Sequence, residues 1–385
     1  MKFNRIFLIV CDSMGIGNAK DAKKYNDFGA NTVGHICSIC DGLSIPTLQN
    51  LGFGNLGDFK GVAKTQNPQA YILKLNEASN GKDTMTGHWE MMGLKTEKPF
   101  ITFTDTGFPK EFEKKTGRKC VGNIACSGTK ILDMYGEHQI KTGDWIVYTS
   151  ADSVFQIAAN EDIIPLEELY HACQIAREIA MDDKWKVGRV IARPYIGTKE
   201  GHFTRTSNRH DYALAPFSKT ALDSLKDAGL DVIGVGKIPD IFVDQGIKKV
   251  SNEDGMNKTI ELASDNFNGL AFINLVDFDA VYGHRRNAAG YGKAIEEFDV
   301  QLGELINELK EDDLLIVTAD HGNDPTYRGT DHTREQVPLI IYSKQFNEMK
   351  VLNDGDSFGI IGSTICDNFN VKYNGIGSSI LELLK

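Results

Sequence analysis

The run LLIVTADHGN, Leu314 to Asn323, decides the fold. Leu314 to Thr318 is apolar enough for a strand buried on both faces, and it runs straight into Asp320, His321 and Gly322. Burying a carboxylate beside an imidazole without partners costs several kcal/mol. A cation removes that cost, because both side chains are metal ligands. On its own the dipeptide reads equally well as a solvated pair at a strand-end turn, so the rest of the chain must decide. Ile6 to Val10 repeats the pattern, an apolar run ending in Cys11 and Asp12. Functional groups collect at the carboxyl ends of open parallel sheets. The loop after Asp12, SMGIG, lacks the GxGxxG spacing and gives no reason to expect a dinucleotide.

Outward from these strands, helical and extended periods alternate. Residues 31 to 52 hold one helix-like piece and a turn at Pro46. Thr220 to Ala228 reads as helix, Asp231 to Val235 and Leu270 to Val276 as strands. Residues 293 to 309 put Ile295, Phe298, Leu302, Leu305, Ile306 and Leu309 on one helical face, and Val337 to Tyr342 is a further strand. Such alternation predicts an α/β fold, a mostly parallel sheet covered by helices. The middle third differs. Residues 97 to 145 are rich in Gly, Thr and Lys and suggest short strands. Trp145 to Thr149 and Val187 to Ala192 read as strands, and Leu166 to Met181 as a helix. We therefore expect residues 1–96 and 218–385 to form one core, interrupted by a smaller α+β cap at 97–217.

The chain has 385 residues, enough for a large core and more than one domain, with 41% hydrophobic and 25% charged residues. A net charge of −11 argues against nucleic-acid partners and against a basic membrane-binding face. Seven cysteines are no disulfide framework and suggest a reducing compartment. Cys37 and Cys40 form a lone CxxC beside His35, which we read as structural because no second pair accompanies it. The N-terminal apolar run is too short for a signal peptide, and no stretch approaches a membrane span, so a cytoplasmic location is expected. Nothing in the sequence points to an obligate protein partner.

Further acids and histidines follow strands closely. LVDFDAVYGH places Asp277, Asp279 and His284 after the Leu270 strand, and GTDH brings His332 one loop after His321. Asp277 and Asp279 would share a face if the strand continued, so spacing leaves the choice between them open. With Asp279 taken, Asp12, Asp279, Asp320, His284, His321 and His332 make three carboxylates and three imidazoles. Six such ligands suit two divalent ions, and the mixture of N and O favours Mn²⁺ or Zn²⁺ over Mg²⁺. A second feature is basic. Residues 184–210 carry Lys184, Lys186, Arg189, Arg193, Lys199, Arg205 and Arg209 against one acid, Glu200. Arginine forks onto phosphate oxygens, so this run reads as an anion-binding face in an acidic chain.

The Asp12 strand end, GKDTMTGHWE (81–90), VDFDAVYGH, TADHGN, TDHTREQVP and TRTSNRHDYAL together resemble the alkaline phosphatase superfamily, most closely its bacterial pentose-phosphate mutases. The resemblance spans nearly the whole chain. It implies two divalent ions, most readily Mn²⁺, one with Asp12, Asp320 and His321 and one with Asp279, His284 and His332. It selects Thr84 over Thr86 as a nucleophile that becomes phosphorylated, where the residues alone leave Thr84 readable as a helix N-cap; Lys82 would meet phosphate. It implies Ser150, Asp152, Arg189, Ile191, Arg205 and Lys237 as a sugar-phosphate pocket. The expected reaction exchanges the 1- and 5-phosphates of ribose or deoxyribose through a bisphosphate, primed by a sugar bisphosphate such as glucose 1,6-bisphosphate, with the cap excluding water. A phosphoglycerate mutase, a hydrolase or a non-enzymatic sugar-phosphate sensor are the competing readings.

Overall fold

The computed structural model describes residues 3–100, 103–104, 106–149, 153–247, 249–251 and 255–385. The chain forms two compact units, Met1–Glu97 with Ala215–Lys385, and Lys98–Leu214. In chain order the strands are β1 (Arg5–Cys11), β2 (Tyr71–Leu75), β3 (Cys120–Ala125), β4 (Trp145–Thr149), β5 (Val154–Asn160), β6 (Arg189–Ile196), β7 (Thr204–Arg205), β8 (His210–Ala213), β9 (Asp231–Val235), β10 (Lys249–Ser251), β11 (Gly269–Leu275), β12 (Asp313–Thr318) and β13 (Val337–Tyr342).

The larger unit is built on a seven-stranded sheet ordered β10-β9-β11-β1-β12-β13-β2. The pairs from β10 to β12 are parallel, while β13 runs antiparallel to β12 and to β2. Every residue of β1 is buried, as expected of a central parallel strand covered on both faces. Register places the site. Val10 pairs with Asn274 on one side and Thr318 on the other, so the residues that follow these three strands emerge side by side. At the opposite end Arg5 faces Asp313 and forks onto its carboxylate, Nε to Oδ1 at 2.8 Å and Nη2 to Oδ2 at 2.6 Å.

Helices cover this sheet where the apolar period places them. Ala288–Glu308 buries Tyr291, Ile295, Phe298, Leu302 and Leu305. It starts before the expected residue 293 because the Asn287 side chain caps it, accepting from the Gly290 amide. Residues 31–52 give two short helices, Thr32–Ile39 and Pro46–Leu51. The helix Thr84–Met91 is capped by Asp83, whose side chain accepts from the Thr86 amide, so Thr84 is its first residue rather than its cap. Gly87 lets this helix lie against the end of β12, since a Cβ there would sit 2.4 Å from the Asp320 carbonyl oxygen.

The smaller unit carries a sheet ordered β3-β4-β5-β6-β7, with β8 paired to β6. Residues 97–145 form two helices, Phe108–Thr116 and Gly128–Thr142, with β3 between them, where short strands were expected. Phe108 and Phe112 stand one turn apart and pack on Phe155. Pro109 lies in the first turn of their helix, and Gly117, at φ +76°, ends it. No helix among the described residues is long and apolar enough to cross a membrane.

Candidate metal centre

Asp12 follows β1 directly, and Asp320 and His321 follow β12 by two and three residues. Their ligand atoms lie close together: His321 Nε2 is 3.4 Å from Asp12 Oδ1 and 3.3 Å from Asp320 Oδ2. All three side chains are buried. Ser13, left-handed at φ +67°, turns its amide onto Asp320 Oδ1 at 3.0 Å. A non-glycine residue held in that region is a local strain of the kind found at functional sites.

β11 ends at Leu275, and the chain then turns through a π-helical segment, Phe278–Gly283. Asp277 and Asp279 therefore do not share a face. Asp277 is exposed and Asp279 is buried. Asp279 Oδ2 lies 3.0 Å from His284 Nε2 and 3.5 Å from His332 Nε2, and these two nitrogens stand 3.1 Å apart. Asn323 donates to the other Asp279 oxygen at 2.7 Å. The far nitrogens of two imidazoles are occupied by carbonyls, His284 Nδ1 by Thr330 and His321 Nδ1 by Gly322, both at 3.1 Å. That arrangement turns Nε2 of each ring toward the carboxylates, the usual outer-shell arrangement around a metal-ligating histidine.

Two groups of potential ligands result, Asp12 with Asp320 and His321, and Asp279 with His321 and His332, each with ligand atoms within 4.8 Å of one another. His321 belongs to both, and its ring stacks on His332 with centroids 3.9 Å apart. Burial, reinforced by Asp320 and Asp279, pushes the Asp12 carboxyl far above the usual carboxylate range. Burial also lowers His321, against the pull of Asp320. Burial acts on Asp279 in the raising direction too, yet the imidazoles of His332 and His284 hold it well below the ordinary value. Asp12 Oδ1 and Asp320 Oδ2 are buried and have no hydrogen-bond partner among the described residues. Buried carboxylate oxygens without hydrogen-bond partners, facing imidazole nitrogens, fit divalent cations.

Thr84 stands beside this cluster. Its Oγ1 lies 3.1 Å from His321 Nε2. Thr86 instead donates to Asp83 and is fully buried. Lys82 bridges two carboxylates, Asp27 at 3.0 Å and Asp331 at 3.1 Å, so in this structure it is committed to the loop beside His332. The sequence reading missed two fully or nearly buried residues here. His88, one turn after Thr84, approaches Asp320, and Asn274 of β11 donates to Asp12 at 3.1 Å. The signal for His88 was its i+4 spacing from Thr84.

In the smaller unit, Arg189, Ile191 and Arg193 alternate along β6 and so share a face. With Arg205 and Arg209 they line an open cavity of about 290 Å³, closed on one side by Tyr148 and the Ser127 end of the helix Gly128–Thr142. Arg193 donates to Gln156 at 2.9 Å, and burial together with neighbouring Arg209 presses its guanidinium below the ordinary value. Of the residues expected in the sugar-phosphate pocket, Arg189, Ile191 and Arg205 meet here. Lys237 belongs to the larger unit, where its charge acts on Asp12. Ser150 and Asp152 lie outside the described residues. Arg193 and Arg209 were visible only as part of a basic run; the period of two from Arg189 would have singled out Arg193.

Acid–imidazole clusters at the carboxyl ends of a mostly parallel sheet, with a hydroxyl at hand, define a metal-dependent α/β enzyme. A family model for the metalloenzyme superfamily matches residues 4–373. A phosphopentomutase of Clostridium beijerinckii is 58% identical across 100% of this chain and 99% of its own, and one of Clostridium tetani is 57% identical over the same shares. The chain belongs to the phosphopentomutase family of this alkaline phosphatase-like superfamily. It is an isomerase, an intramolecular phosphotransferase, and it binds divalent metal. A solved Pyrococcus horikoshii protein, 13% identical, shares the fold with a TM-score of 0.50 over 98% of this chain and 100% of its own.

Proposed function

We propose that the protein interconverts the 1- and 5-phosphates of ribose and deoxyribose through a phosphorylated Thr84. The observation that carries this reading is the Thr84 hydroxyl, 3.1 Å from His321 Nε2 and next to buried carboxylates that lack partners. Two divalent ions, most readily Mn²⁺, would be held by Asp12, Asp320 and His321 and by Asp279, His284 and His332. Bound there, they would supply positive charge that favours the threonine alkoxide and shields phosphate oxygens.

The chain's own residues do the rest. Thr84 opens a helix, so its phosphoryl group sits where the helix dipole favours negative charge. A free sugar hydroxyl attacks that group. The phosphorus–oxygen bond to Thr84 breaks, a bond to the sugar oxygen forms, and the hydroxyl proton ends on the released Thr84 oxygen. The resulting bisphosphate returns its other phosphoryl group to Thr84. Glucose 1,6-bisphosphate or a similar bisphosphate would load the threonine at the start. Arg189, Arg193, Arg205 and Arg209 suit a phosphate monoester, and Ser150, Asp152 and Lys237 remain candidates for further contacts to the sugar phosphate. All seven cysteines are free thiols, which supports a reducing, cytoplasmic setting.

The test supplies Mn²⁺-loaded protein with ribose 5-phosphate and a trace of glucose 1,6-bisphosphate, and measures ribose 1-phosphate against free phosphate. Ribose 1-phosphate should dominate, with a phosphoryl group on the peptide bearing Thr84. Thr84→Ala should abolish exchange while binding metal normally. Turnover in that variant, or free phosphate as the main product, overturns the proposal.

A further inference from the structure

His88 takes no part in the ligand set, yet it is fully buried beside it. Its ring lies against Phe272 of β11, centroids 5.8 Å apart and 29° from parallel. Nδ1 is 2.8 Å from the Thr84 carbonyl oxygen and 3.3 Å from Asp320 Oδ2. Nε2 is 3.3 Å from Asn274 Nδ2, and the same amide nitrogen is 3.1 Å from Asp12 Oδ2.

These contacts fix the proton. The Thr84 carbonyl oxygen can only accept, so His88 Nδ1 must carry a proton toward it, and Asn274 turns its NH₂ group toward Asp12 Oδ2. That same group then also faces His88 Nε2, which must accept. The ring proton is therefore on Nδ1, where it is donated to the Thr84 carbonyl with Asp320 close by. One imidazole thus reaches the backbone of the hydroxyl-bearing residue, touches the Asp320 carboxylate and, through Asn274, reaches Asp12. Thr84 is the first residue of its helix, the turn most prone to fraying, and the ring adds a side-chain hydrogen bond to that turn.

We propose that His88 is a positioning residue for phosphoryl transfer: its Nδ1–H clamps the Thr84 turn to the strand ends that carry Asp12 and Asp320. The inference rests on Thr84 as the nucleophile. Its physical basis is that displacement of a reacting atom by about 1 Å can cost 10²-fold in rate. Outer-shell partners of metal ligands have effects of about 10–100-fold.

Asparagine and glutamine separate the two ring nitrogens. The Asn amide reproduces the position of Nδ1, and the Gln amide that of Nε2. In Mn²⁺-loaded enzyme, His88→Asn should keep kcat within about 10-fold of the parent, while His88→Gln and His88→Ala should lose about 100-fold. KM for ribose 5-phosphate should stay within about threefold in all of them, since His88 does not touch the substrate. The fraction of Thr84 phosphorylated by glucose 1,6-bisphosphate should fall in parallel with kcat. A further readout needs neither activity nor metal. With nine histidines in the chain, ¹⁵N–¹H correlation of the ring nitrogens in metal-free protein should find the His88 proton on Nδ1. A proton on Nε2, Gln as active as Asn, or Ala with the parent kcat overturns the inference. Thr84→Ala is assayed alongside. If it turns over, the nucleophile assignment has failed; if it is dead and the His88 variants behave as the parent, only the role of His88 has.

Discussion

The two ends of β1 and β12 treat buried charge in opposite ways. At the amino end, Arg5 and Asp313 form a forked pair, and Arg5 also donates to the carbonyls of Ala263 and Asp265. Every strong partner is internal. At the carboxyl end, Asp12 and Asp320 crowd together with one oxygen each left over, and three imidazoles face inward. One end is complete without any added group and the other is not. Completeness of partners, rather than burial of charge, therefore separates a structural ion pair from a site.

That contrast can be broken in five ways. Asp320→Asn should remove about 10³-fold or more of kcat, since it takes away charge at the reacting centre. The metal-free variant should melt no lower than the metal-free parent, because the carboxamide keeps the Ser13 contact and relieves the crowding around Asp12. Asp313→Ala at the other end should do the reverse. It leaves Arg5 buried without its partner and should lower unfolding free energy by about 3–5 kcal/mol, read by denaturant titration, while isothermal titration finds metal affinity unchanged. Chelating the metal should destabilise the parent by about 3 kcal/mol relative to protein held at a hundred times the dissociation constant, and should leave Asp320→Asn almost unmoved. Replacing both partners, Arg5→Met with Asp313→Leu, should recover most of what Asp313→Ala loses, leaving a deficit of about 1 kcal/mol. The smallest effect belongs to Asp277→Asn. Exposed and outside the cluster, it should shift stability by no more than about 0.5 kcal/mol and leave kcat alone, whereas Asp279→Asn should not.

Much of the larger unit's sheet could be read from the sequence because its strands are continuous apolar runs. Asp231–Val235 and Val337–Tyr342 match the expected bounds, β1 and β11 differ by a residue at each end, and β12 by one at its start. β2, YILKL, was passed over because a lysine interrupts it; the sheet accommodates that residue where burial is partial. The stretch 97–145 misled because its Gly and Thr content masked a pair of phenylalanines at helical spacing. Among the candidate site residues, the acids and histidines at strand ends were singled out by their chemistry. The choice of Asp279 over Asp277 could not be made that way, because it depends on a π-helical turn that no periodicity shows. Asn274 stayed hidden because its partners, Asp12 and His88, lie on other elements.

The central position of β1 has a consequence for how the chain is made. This strand leaves the ribosome well before its two neighbours, β11 and β12, which begin at Gly269 and Asp313. At translation rates of about 5–20 residues per second, roughly 13–50 s pass before either can pair with it. The inserted unit is completed within that interval, while the apolar segment IFLIV waits with both edges open. Slowing elongation after residue 214 should therefore increase aggregation rather than aid folding.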